Sequence, residues 1–350
     1  MNKNTFKIAK RKVGLNYDPL IIAEIGINHG GNIKTALKMA KLAIDSGVDV
    51  IKHQTHIVDD EMSQQAKKTK IDYIGKSIYE LMDNCALNEK DELTLKNFVE
   101  EHNCIFLSTP FSRKAADRLY KFGVPAFKIG SGECNNFPLL EHICKFKKPI
   151  ILSTGMNNLE DIHQSVEILR SYKIPYALLH TTNIYPTPHE LVRLNAMTEL
   201  EENFPDAVIG LSDHTVDNYA CFGALAMGAS IIERHFTDSL KRKGPDILNS
   251  MDPKQTSELV RASKIYKLLR GGIKKRIKEE NTVKEFAFAS VVSIKEIRKG
   301  EKFSYDNIWV KRPGSGPFFA KDFHKIIGKT ANKDIKRDFH IKKIDIKEKI

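Results

Sequence analysis

The sequence has 350 residues, of which 41% are hydrophobic and 29% charged, the balance of a globular chain with room for two domains or for one large barrel and an appendage. No apolar run approaches the ~20 residues needed to cross a bilayer, and the opening MNKNTFKIAKRKVG lacks the apolar stretch of a signal peptide. The five cysteines are scattered and never form a CxxC pair, which argues against a disulfide framework or a zinc-thiolate site and points to a cytoplasmic chain with no membrane partner.

The formal net charge is +12, and residues 271–350 carry +10 of it, from 21 Lys and Arg against 11 Asp and Glu. The lysines of this tail are interleaved with acids and form no long block of like charge. The tail reads as a solvated surface, and no nucleic-acid partner is expected.

In chain order, short apolar segments rich in β-branched residues recur at 20–28, 48–56, 104–110, 126–131, 149–154, 176–182, 207–215 and 230–236. Between them lie helical periodicities. NIKTALKMAKLAIDSG places Ile33, Leu37, Ala40 and Ile44 on one face, and DELTLKNFVEEHN, RKAADRLYKFG and NLEDIHQSVEILRSYK follow the same rule. Eight strands alternating with helices predict parallel pairing through right-handed crossovers and, over about 250 residues, a (β/α)8 barrel. A doubly wound sheet is the alternative, but no GxGxxG follows the first strand. The spacing predicts a barrel over residues 1–270, a linker over 271–285 and a small β-rich domain over 286–350, in which FAFASVVS, the turn RKGEKFS and NIWVKRPGSG are the recognisable pieces.

The carboxyl ends of the strands form the working face of such a barrel, and here they are polar. They carry Glu24 and Asn28; Lys52, Gln54 and His56; Ser108 and Thr109; Lys128, Ser131 and Glu133; Ser153 and Thr154; His180, Thr182 and Asn183; Asp213 and His214; Glu233 and His235. Strands buried on both faces should be mainly apolar, so this pattern calls for a polar ligand. His214 and His235, on neighbouring strands, suit a divalent metal of the Mn2+ type, with Mg2+ or Co2+ as alternatives. His29, His53, His56 and His180 are weaker candidates that fit structural or supporting positions. Lys52 and Lys128, beside Thr109, Ser131 and Ser153, suit a ligand bearing both phosphate and carboxylate. A barrel lysine acting as a Schiff base is the competing chemistry. Glu24 and Glu133 suit proton transfer or hydroxyl binding.

These residues sit in runs that resemble the sialic acid synthases: EIGINHGG (24–31), IKHQTHIVDDEMS (51–63), FLSTPFS (106–112), FKIGSGECNN (127–136), ILSTGMN (151–157), LLHTTNIYPTP (178–188), GLSDHT (210–215), ERHFTD (233–238) and GPDILNSM (244–251). WVKRPGSG (309–316) resembles their C-terminal antifreeze-like, or SAF, domain. The resemblance implies a (β/α)8 TIM barrel followed by a small SAF domain, and a transferase that condenses phosphoenolpyruvate with N-acetylmannosamine and water, releasing phosphate by C–O cleavage. It implies His214 and His235 as ligands of the divalent metal. It implies Lys52, Thr109, Lys128, Ser131, Ser153 and Asn183 for phosphoenolpyruvate, and Gln54, Tyr185 and Asp246 for the sugar. Glu24, Glu133 and Lys52 are implied at the reacting centre. It further implies a domain-swapped homodimer in which Arg312, with Phe286 near the same place, reaches the sugar across the dimer. Legionaminic or pseudaminic acid synthesis, from a 2,4-diacetamido-2,4,6-trideoxyhexose, is the alternative within the resemblance. TNIYPTPHELVRL looks closer to the N-acetylneuraminate type.

Overall fold

A computed structural model describes residues 4–68 and 77–347; the outer limits of the two expected domains, residues 1 and 350, lie outside them. The chain divides into two compact units, one up to Gly271 and one from Gly272 onward.

The first unit opens with an antiparallel hairpin, β1 (Phe6–Ile8) and β2 (Arg11–Val13). Eight barrel strands follow: β3 (Leu20–Gly26), β4 (Val50–Thr55), β5 (Ile105–Pro110), β6 (Phe127–Ile129), β7 (Ile150–Ser153), β8 (Tyr176–Thr181), β9 (Val208–Asp213) and β10 (Ile231–His235). They hydrogen-bond in the order β5-β4-β3-β10-β9-β8-β7-β6, all in parallel. β5 lies against β6 and brings the two ends of that order together. All eight fall within the segments expected from sequence.

Helices begin where short polar side chains can cap exposed N–H groups. Asn32 accepts from Thr35 N ahead of α1 (Ile33–Asp45). Asn158 and Asp161 form a reciprocal capping box on the helix Leu159–Ser171, as do Asp252 and Gln255 on Pro253–Leu269. The buried face of α1 is Ala36, Met39, Ala40 and Ala43, while Ile33, Leu37 and Ile44 pack half-buried at its flanks. The expected stripe is thus rotated, because the alanines let the helix approach the barrel closely.

The period-two alternation of the strands sorts the side chains. Ile21, Ala23, Ile25, Ile51 and Phe106 face outward into the helical layer. Leu20, Ile22, Val50, Leu107, Ile151, Ala177, Leu179, Val208 and Ile231 face inward and, with Phe6, Ile8 and Val13 of the hairpin, make a separate apolar cluster. The hairpin therefore plugs the amino end of the barrel, a role the sequence reading did not foresee. Burying these three side chains contributes roughly 1.5–3 kcal/mol each. The inward positions become polar only toward the carboxyl ends of the strands.

In the second unit, a 3-10 turn (Lys278–Glu280) and the helix Asn281–Ala287 occupy the stretch expected as a linker. β11 (Ser290–Ser293) pairs antiparallel with β12 (Ile308–Lys311). Val291, Ile297, Phe303, Ile308, Phe323, Ile326, Ala331, Ile335 and Ile341 form a core of this unit's own.

Candidate active site

At the carboxyl end of the barrel, β3, β4, β6 and β10 direct four charged side chains to its axis. Lys52 Nζ lies 2.8 Å from Glu24 Oε2 and 3.6 Å from Glu233 Oε1. Lys128 Nζ lies 3.5 Å from the same Glu233 oxygen. Glu24, Lys52, Lys128 and Glu233 are all buried. Burying four charges without a ligand costs several kcal/mol per ion, which their mutual pairing must offset. Burial opposes the charge on Lys52, but Glu233 and Glu24 outweigh it and hold the ammonium above the ordinary lysine range. Lys128 is pushed down to about 8, by burial first and by Lys52 among its neighbours. Burial would raise Glu233; Lys128 and Lys52 overcome it and keep the carboxylate below its usual value.

Hydroxyls surround the ammonium groups. Lys52 donates to Thr109 Oγ1 at 3.3 Å, and Lys128 donates to Ser153 Oγ at 2.7 Å and to the Ile129 carbonyl at 3.2 Å. Ser131 Oγ accepts from Gly155 N at 3.1 Å. Asn183 closes over Gly155 so tightly that a Cβ there would sit 1.8 Å from Asn183 Oδ1. That oxygen is buried and accepts no hydrogen bond, whereas Nδ2 donates to Tyr185 Oη at 3.3 Å. The six residues expected around phosphoenolpyruvate thus stand on neighbouring strand ends and strand-end loops.

Glu24 Oε1 also accepts from Gln54 Nε2 at 2.8 Å, and Gln54 Oε1 faces His56 Nε2 at 3.1 Å. Glu133 lies in the 3-10 turn after β6. Burial, then the nearby Glu61 carboxylate, pushes it up to about 7, within range of exchanging protons near neutrality.

His214 and His235 stand with ring centroids 5.5 Å apart. His214 Nδ1 donates to the Thr182 carbonyl at 2.8 Å. A carbonyl can only accept, so the tautomer leaves the Nε2 lone pair free. Burial, then His235, pushes His214 down to about 3, so it is neutral at ordinary pH. His235 Nδ1 is buried without a hydrogen bond and lies 3.8 Å from Asp246 Oδ2. Two adjacent imidazoles, one with a free Nε2 lone pair and the other with a buried Nδ1 that makes no hydrogen bond, fit a divalent cation. Among the described residues no group of three or more His, Cys, Asp or Glu is arranged to hold a metal, so further ligands would be water or substrate oxygens. Tyr185 packs on His214 at 4.2 Å between centroids, which puts Tyr185, Asp246 and the histidine pair at one side of the mouth.

Phe286 and Arg312 belong to the second unit, where both are exposed. Of the weaker histidine candidates, His56 touches Gln54, whereas the other three stand apart from the axis. His53 faces outward to Glu92 at 3.2 Å, His29 stacks on His53, and His180 Nε2 donates to the Val192 carbonyl at 2.6 Å. Two residues given no role by the sequence reading prove central in the structure: Glu233, which bridges both lysines, and Arg234, fully buried behind the histidines. The signal for Glu233 was present, since 231, 233 and 235 share one inward register and a carboxylate there needs cationic company.

The NeuB family model matches residues 39–275. The chain belongs to the NeuB family. A SAF domain matches residues 288–346 of this NeuB-family chain. N,N'-diacetyllegionaminic acid synthase of Campylobacter jejuni is 37% identical over 91% of this chain and 97% of its own length. Human N-acetylneuraminate-9-phosphate synthase is 30% identical over 94% and 92%. The solved structure of the N-acetylneuraminic acid synthetase of Leptospira borgpetersenii superposes with a TM-score of 0.74 at 29% identity, covering 80% of this chain and 95% of that one. The relatives of this NeuB-family protein include synthases of the sialic acid type, and its fold is a TIM barrel with a SAF domain.

Proposed function

We propose that the protein is an N-acetylneuraminate synthase, joining phosphoenolpyruvate to the open-chain aldehyde of N-acetylmannosamine. One observation carries the reading: two buried lysines bridged by Glu233, next to a pair of adjacent imidazoles, at the carboxyl mouth of a NeuB-family barrel. Lys52 and Lys128, with Thr109, Ser131, Ser153 and Asn183, bind the carboxylate and phosphate of phosphoenolpyruvate and neutralise their charge. Gln54, Tyr185 and Asp246 hold the sugar with its aldehyde over phosphoenolpyruvate C3. A divalent metal such as Mn2+, held by His214 and His235, would polarise the aldehyde oxygen.

The new C–C bond forms from C3 to the aldehyde carbon and leaves a cationic centre at C2. Water adds to C2 and gives its proton to Glu133. The C2–O bond to phosphate then breaks, the electron pair leaves with phosphate, and the C2 hydroxyl passes its proton to the departing phosphate oxygen and becomes the ketone. Glu24, held by Lys52 and Gln54, buffers the proton at the aldehyde-derived oxygen. Arg312, with Phe286, reaches the sugar's N-acetyl group from the SAF unit of a second copy.

A second acceptor, the 2,4-diacetamido-2,4,6-trideoxyhexose of legionaminic acid synthesis, is favoured by the 37% identity to the Campylobacter enzyme. The stretch TNIYPTPHELVRL and the likeness to the Leptospira structure favour N-acetylmannosamine. Phosphate release with Mn2+ and each sugar in turn tests the reading. Release with N-acetylmannosamine supports it, release with the trideoxy sugar alone moves the acceptor, and release with neither refutes it.

A further inference from the structure

Arg234 has no exposed side-chain surface. It points away from the barrel axis, into the layer behind β9 and β10. Its guanidinium meets three groups: Nε pairs with Asp213 Oδ2 at 3.1 Å, Nη1 donates to Asn218 Oδ1 at 2.7 Å, and Nη2 donates to the Thr215 carbonyl at 2.7 Å. Thr215 Oγ1 in turn donates to Asp213 Oδ2 at 2.8 Å. The residue immediately before His235 therefore grips the residues on both sides of His214. The outer face of the same turn is tied down as well, with Asn218 Nδ2 donating to the Gln255 carbonyl at 2.9 Å. A planar guanidinium with two hydrogen-bond acceptors and one ion-paired carboxylate, its Nε making no hydrogen bond of its own, defines one position for the turn relative to β10.

We propose that Arg234 is a positioning residue that sets the spacing of His214 and His235 and thereby the affinity of the pair for a divalent cation. The inference rests on the reading of these histidines as metal ligands. Groups that orient ligands from behind typically control metal affinity by 10- to 100-fold. The guanidinium does this by holding both strand ends and donates nothing to the cation itself. A lysine at 234 would keep the charge facing Asp213 but could not span Thr215 and Asn218 together.

The test is Mn2+ titration of the full chain, followed by the electron paramagnetic resonance signal of free Mn2+, for wild type, Arg234→Lys and His214→Ala. Circular dichroism and melting curves report the fold. The expected result is a wild-type site that is absent in His214→Ala and at least ten-fold weaker in a folded Arg234→Lys protein. Arg234→Lys binding Mn2+ within two-fold of wild type overturns the inference and leaves the metal reading intact. A wild-type chain with no His214-dependent Mn2+ site overturns the metal reading itself, and the inference with it. Should Arg234→Lys not fold, Asn218→Ser removes one acceptor of the fork. A several-fold loss of affinity is then expected, and unchanged affinity overturns the inference.

Discussion

A methyl group at position 155 tests the proposed phosphoenolpyruvate site without removing any of its polar groups. The Cβ of Gly155→Ala would fall 1.8 Å from Asn183 Oδ1 and 3.0 Å from Ser131 Oγ. Non-bonded heavy atoms settle at ~3.5 Å or more, so Asn183 must retreat by roughly 1.5 Å, while Ser131 moves by a few tenths of an ångström. Asn183 is half-buried and can swing outward, so the fold survives and the cost falls on the site. A displacement of ~1 Å in a positioning group can cost ~100-fold in rate. Gly155→Ala is therefore expected to lower kcat/KM for phosphoenolpyruvate by about two orders of magnitude, with a Tm within a few degrees of wild type. Phosphate release at varied phosphoenolpyruvate, beside a thermal melt, measures both. Asn183→Ala should show a comparable loss, and the double variant should be no worse than either single one, because both remove the same contact. A Gly155→Ala protein with kcat and KM within two-fold of wild type refutes the reasoning, as does a double variant whose losses add.

Four further outcomes are expected. Lys52→Met leaves Glu24 and Glu233 facing each other without their shared cation, so phosphate release should vanish and stability fall by about 3–5 kcal/mol, read by denaturant titration. Glu133 holds its proton more tightly in the folded chain, at about 7 against an ordinary 4.5, so it costs stability as pH rises through that window. Glu133→Gln should match wild type near pH 4.5 and exceed its stability at pH 8 by at most ~3 kcal/mol, while losing turnover at pH 8, where the wild-type carboxylate is free to accept a proton. Ile8→Ala, in the hairpin plug, should cost about 2–5 kcal/mol yet leave kcat unchanged, since Ile8 packs at the end of the barrel remote from the lysines. Mixing Arg312→Ala with Lys52→Met chains should restore a fraction of the activity that each lacks alone; no recovery after subunit exchange would refute the shared site.

Much of this architecture is legible in the sequence because a parallel barrel writes two signals at once. β-branched runs mark the strands, and polar residues at their carboxyl ends mark the mouth, so Lys52 and Lys128 stand out against their apolar neighbours. What escaped has physical reasons. β1 and β2 are three residues each, too short for alternation to show. The face of α1 was misplaced because alanine carries little hydrophobic signal yet permits the closest packing. Arg234 could not be told from a surface arginine until the turn carrying His214 was folded around it. Glu233 carried a usable signal in its inward register between Ile231 and His235, but the two lysines that balance it lie more than a hundred residues away.

The most direct test of the proposed chemistry follows the bridging oxygen of phosphoenolpyruvate. With 18O placed between C2 and phosphorus, the enzyme is incubated with N-acetylmannosamine and Mn2+, and the released phosphate is analysed by mass spectrometry. Addition of water at C2 followed by C–O cleavage predicts that the label leaves entirely with phosphate, and only when the sugar is present. Label retained in the keto-acid product, or phosphate released without any sugar, would contradict the account.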